Sequence, residues 1–217
     1  MNCPIALVRN APFPAWQRTI VGLFIALSCM SLFAQTLSIR ADAPTFKIGD
    51  RWKQEQRDTR TKLKIFENVN TITSISSTLV EGTTSDGGTF RWTPELNPID
   101  TPSMAFGGDP KFLSFPLEVG KKWATKYTFA NKKNENKGRM QLDVEVLAYE
   151  KIAVPAGSFD AFKLEYRGYW NNDANRANGS ARSTYWYAPA ARAVVKTEYA
   201  DGFNMWVREL VEFDLQP

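Results

Sequence analysis

Beyond residue 34 the sequence carries neither histidine nor cysteine; its two cysteines are Cys3 and Cys29. That removes Ser-His-Asp and Cys-His relays, imidazole general bases and His-ligated zinc, copper or haem iron from this part of the chain. It also removes thiolate nucleophiles, disulfide staples and Fe–S clusters. No Gly-x-Ser-x-Gly, Ser-x-x-Lys, phosphate-cradling glycine loop or EF-hand loop occurs. What stays open is carboxylate chemistry, or a serine assisted by lysine or tyrosine. Glu145, Asp160, Glu165, Glu198, Glu209 and Glu212 fall on or beside strand-like segments. Glu209 shares a parity with Met205, Val207, Val211 and Phe213, and an acid on an apolar face can acquire a raised pKa and a general-acid role. The more ordinary reading is an ion pair with Arg208 or Arg182. With no catalytic residue, metal-ligand set or cofactor motif identified, the sequence leans away from an enzyme, and no cofactor is expected.

Aromatic side chains are the other candidates. Their ordinary role is to fill a core that has no disulfides. A curved sheet, however, also leaves a groove, and Trp or Tyr at its rim can stack on sugars or clamp acyl chains. Tyr185, Trp186 and Tyr187 are consecutive, so a strand carrying them must point large rings to both faces. Trp123, Tyr166 and Trp170 lie on inward parities of other strands, and these six form the candidate ligand-binding set. The amide-rich stretch 171–180 could read a ligand, although such residues are also what turns use.

These side chains need strands to hold them, and the alternation supplies strands. Phe162, Leu164, Tyr166, Gly168 and Trp170 alternate with Lys163, Glu165, Arg167 and Tyr169. Met140, Leu142, Val144, Val146 and Ala148 alternate in the same way, as do Trp123, Thr125, Tyr127 and Phe129. Period two places one face on a core and the other in water. Glycine turns at Asp86-Gly87-Gly88, Pro155-Ala156-Gly157 and Asp201-Gly202 separate the runs. Strands are expected at 51–58, 66–74, 78–82, 89–93, 122–130, 138–150, 159–170, 181–187, 193–199 and 204–214. The fold class is therefore all-β: an antiparallel, strongly curved meander or half-open barrel of about 9–10 strands. The segment 94–116 holds five prolines and Gly107-Gly108, and is expected as a covering loop, lid or linker inside a single domain spanning 46–217.

From Thr19 to Ala34 no side chain is charged and most are apolar, with Arg9 and Arg18 before the run. This describes a signal peptide over 1–34, cleaved after Ala34 or, alternatively, Ala41, and followed by a disordered lead-in at 35–45. An uncleaved anchor and an acylated Cys29 are the minority readings; the run is short for a span of about 20 apolar residues. Arg9 and Arg18 leave with the peptide, so the 27 basic side chains fall to 25 against 23 acidic ones, and the net charge from +4 to +2. No concentrated basic face remains, so nucleic acid is not an expected partner. The expected location is the periplasm or the exterior of a bacterium, with no stable membrane span after cleavage.

Val154-Pro155-Ala156-Gly157-Ser158-Phe159-Asp160-Ala161-Phe162, with Tyr185-Trp186-Tyr187-Ala188-Pro189 and the strand entries Gly49-Asp50-Arg51-Trp52 and Gly120-Lys121-Lys122-Trp123, resembles exported bacterial proteins of unknown function, TapB-like proteins among them. The resemblance covers most of 46–215. It implies an antiparallel half-barrel around a hydrophobic interior, and carries over no catalytic residue. The leading expectation is a non-enzymatic envelope binding protein for a lipid or an amphipathic small molecule. A structural protein docking another envelope component, and a carboxylate-dependent glycan hydrolase, are the alternatives.

Overall fold

The computed structural model describes residues 39–217. The signal peptide, its cleavage after Ala34 and Cys29 lie outside the described residues. Fourteen strands follow one another among the described residues: β1 (Arg40–Ala41), β2 (Arg51–Asp58), β3 (Lys64–Ile75), β4 (Val80–Thr84), β5 (Thr89–Trp92), β6 (Pro98–Asp100), β7 (Met104–Gly108), β8 (Leu117–Glu118), β9 (Lys122–Asn131), β10 (Lys137–Val154), β11 (Gly157–Asn172), β12 (Asn178–Ala188), β13 (Ala193–Ala200) and β14 (Met205–Asp214). Within the expected lead-in, β1 pairs with β8, and Ala41 is buried.

The remaining twelve strands form a closed antiparallel barrel, with β14 pairing back onto β2 and β7 onto β9. Closure, in place of a half-open sheet, comes from the proline-rich segment. Pro98 and Pro102 bracket β6, and Gly107-Gly108 ends β7; these two short strands bridge β5 to β9. Proline cannot donate to a ladder, so the bridge is held by few pairings, with Asp100 opposite Ala105 as the β6–β7 register. The rest of the segment turns inward. Leu113 is buried, and its backbone is held by Asn97, whose Nδ2 donates to the Leu113 carbonyl (2.9 Å) while Oδ1 accepts from its N–H (2.8 Å).

The alternating parities of β9, β10 and β11 place Tyr127, Leu142, Val144, Phe162, Leu164 and Tyr166 in one buried cluster. A second gathers Trp52, Ile72, Phe90, Val195 and Leu210. Bulges shift the register between Val146 and Ala148, Trp186 and Tyr187, and Leu210 and Glu212. The last one corrects the expectation for Glu209. The inward set of β14 is Trp206, Arg208 and Leu210; Glu209 lies on the other face, in register with Lys196 and Glu55, and the extra residue at Val211 restores Phe213 to the core side. An alternation read across a bulge swaps the two faces.

Candidate ligand-binding cavity

In an up-and-down barrel alternate loops fall at the same end. The loops 85–88, 101–103, 132–136, 173–177 and 201–204 share one end, and residues from each line an interior cavity of about 800 Å³. At the opposite end Trp52 donates from Nε1 to the Ala191 carbonyl (2.7 Å), with Leu96 and Leu113 nearby on the wall.

Two walls differ in chemistry. Aromatic rings from β7, β9 and β12 and from the inward-turned segment make the first: Phe106, Phe112, Tyr127 and Tyr185, with centroid separations between 5.1 and 6.3 Å. The second is polar and comes from β2, β3 and β14. Gln54, Asn68, Asn70 and Arg208 face inward there because the even positions of these strands point into the barrel. Asn68 donates to the Asn70 side chain (2.8 Å) and accepts from Ser85, while Gln54 donates to the Val194 carbonyl (3.2 Å).

Burial pushes up the phenols of Tyr127, Tyr166, Tyr187 and Tyr199, and that of Tyr185 to about 12. All are neutral at ordinary pH and present hydroxyls, not phenolates. Arg208 is held below its usual pKa by desolvation, with Tyr185 acting the other way. Arginine stays protonated regardless, so the cavity contains a permanent positive charge.

Of the six candidate binding residues, Trp170 and Tyr185 line the cavity. Tyr166 is wholly buried beneath it and donates to the Phe112 carbonyl (2.5 Å). Tyr187 packs edge-on against Phe115 in the core. Trp186 lies between the Lys163 and Lys196 ammonium groups, at 5.4 and 5.1 Å, and donates from Nε1 to Glu150 (2.9 Å). Trp123 donates from Nε1 to the Lys111 carbonyl (2.8 Å). The polar wall was not picked out from sequence. Its signal was available in Trp52, Gln54 and Gln56, where amides continue the parity of an inward tryptophan.

No family model matches the chain, and no curated protein matches it. Solved structures do. The barrel resembles the YmcC-like fold. A protein of Parabacteroides distasonis provisionally classed as a lipoprotein is 17% identical, with 80% of this chain and 99% of that one covered and a TM-score of 0.56. A provisionally exported Bacteroides fragilis protein with a YmcC-like fold is 15% identical over the same shares, with a TM-score of 0.53. At these identities the likeness concerns the fold, and function must come from the site.

Proposed function

We propose that this chain is an exported protein of the bacterial envelope that holds an apolar or amphipathic small molecule inside its barrel, without chemical conversion. The cavity carries this reading. About 800 Å³ lies within the range of small-molecule sites, and an aromatic wall with a few convergent polar groups is their usual lining. Packed interiors leave few voids larger than a water molecule, so a space of this size is not a packing defect. The leader-like residues 1–34 support export, and the similar folds include proteins classed as exported or as lipoproteins. Within the described residues, no cluster of three or more His, Cys, Asp or Glu side chains could hold a metal ion.

The test is titration of the purified protein with N-phenyl-1-naphthylamine, a neutral apolar fluorophore. Saturable 1:1 enhancement, lost when Tyr185→Asp or Phe106→Asp places a charge in the aromatic wall, is the expected result. Absence of saturable binding, together with ligand-free native mass spectra of gently purified protein, would overturn the reading.

A further inference from the structure

Arg208 is an unusual residue to find inside such a cavity. Its Nε and Nη2 both donate to Gln56 Oε1, at 3.1 and 2.6 Å. Among the described residues nothing else accepts a hydrogen bond from it, and no carboxylate lies within ion-pairing distance. The other arginine of the cavity wall, Arg192, is matched to the buried Asp50 at 2.8 Å, so the contrast is internal to the protein.

The guanidinium is held in place from several sides. Its carbon stands 5.2 Å from the Trp206 ring and 5.6 Å from Phe66, and Trp206 stacks on Tyr199 at 4.9 Å and 17°. Those faces offset part of the cost of removing a cation from water. Gln56 occupies the Nε edge and supplies a dipole but no charge. The Nη1/Nη2 edge is left free of protein acceptors beyond Gln56, and Nη1, which has no partner among the described residues, is not sealed within protein. That edge is the fork that takes a carboxylate or phosphate in a bidentate manner. Tyr185 also lines the cavity, and its hydroxyl has no hydrogen-bond partner among the described residues.

We infer that Arg208, oriented by Gln56 and by the rings of Trp206 and Phe66, is the anchor for the anionic head group of an amphiphile whose apolar body lies against the aromatic wall. This rests on the cavity being a binding site and names the ligand class it takes. A buried charge is expensive unless it is paired, and an anionic head group supplies the missing partner. Carboxylate and phosphate heads share the needed chemistry, and the experiment separates them.

The measurement is calorimetric titration with dodecanoate, dodecyl phosphate and 1-dodecanol, all of the same chain length. At least one anion should bind about tenfold or more tightly than the alcohol, the scale of a charge-assisted hydrogen bond. Whichever head the fork prefers will show as the tighter of the two anions. Arg208→Met should collapse the anion-to-alcohol affinity ratio by about tenfold or more. Gln56→Glu should do the same without removing the arginine, because an internal carboxylate then neutralises it. Equal affinities for anions and alcohol, or a ratio unchanged in Gln56→Glu, would overturn the anchor while leaving the cavity reading intact. Failure of all three amphiphiles to bind would overturn both.

Discussion

Replacing Asp50 with alanine should cost this protein several kcal/mol, about 3–5, of stability. Asp50 has no solvent exposure and stands at the entrance to β2. Its Oδ2 accepts from the Lys47 N–H (2.9 Å) and from Arg192 Nη1 (2.8 Å), and its Oδ1 accepts from the Gln216 N–H (2.8 Å). One carboxylate thus ties together the start of the first barrel strand, the turn after β12 and the end of the chain. Arg192 adopts φ 51°, a left-handed conformation that arginine does not favour, and the ion pair helps to hold it there. Removing the carboxylate strands a partly buried guanidinium and two backbone donors, and breaking a buried pair from one side costs about 3–5 kcal/mol. For a domain of this size each kcal/mol moves Tm by roughly 2–4 °C, so Asp50→Ala should lower Tm by ~6–20 °C. Thermal unfolding followed by circular dichroism at pH 7 reads this directly. Asp50→Asn keeps one acceptor and should fall between wild type and alanine. In the double variant with Arg192→Gln the losses should be less than additive, because the second change removes the stranded charge. A drop below ~2 °C for Asp50→Ala, or strict additivity, would refute the reasoning.

Two further expectations concern the outer face and the backbone. Burial raises the Glu165 carboxyl pKa, but Arg167 and Arg182 outweigh it and hold it below its ordinary value of 4.5. A depressed folded-state pKa stabilises above the unfolded value and is lost as pH falls through the folded one. Glu165→Gln should therefore be less stable than wild type at pH 7, with the gap in Tm closing below about pH 4.5 as acid protonates the wild-type group; a gap unchanged at pH 3 would contradict it. At Gly168 a Cβ would stand 2.0 Å from the Gln141 carbonyl oxygen and 2.9 Å from Leu142 Cα. Gly168→Ala must therefore push β10 and β11 apart, costing ~1–3 kcal/mol, which a urea midpoint measures.

Much of the barrel was legible because its strands alternate cleanly. β9 and the first half of β10 alternate covered and exposed residues, and in β11 Phe162, Leu164 and Tyr166 mark the inside although Ala161 and Glu165 are buried as well. What escaped reading did so for physical reasons. β6 and β7 hide in a segment whose prolines argue against strand; Pro98 is tolerated because β6 makes few ladder pairings, and β7, which has no proline, pairs with β9 along its whole length. The bulge at Val211 reverses parity, so Glu209 looked inward alongside Val211 and Phe213. The polar wall was missed because alternation marks burial against apolar neighbours and has no mark for a polar side chain facing a cavity, so that only the inward parity of Trp52, continued by Gln54 and Gln56, hinted at it. Of the aromatic candidates, Trp170 and Tyr185 line the cavity while packing against the core, whereas Tyr166 and Tyr187 lie within the core itself.

The pairing of β14 with β2 has one more consequence. Arg51 stands opposite Asp214, so the first and last barrel strands finish side by side at the same end. Around the ring, the join between them is one more hairpin position that happens to lack its connecting turn. The order of strands therefore has no privileged starting point. A short polar linker from Pro217 to Phe46, with new ends opened in the exposed turn at 132–136, would give a circularly permuted chain that forgoes β1 and its pairing with β8 but keeps every neighbour within the barrel.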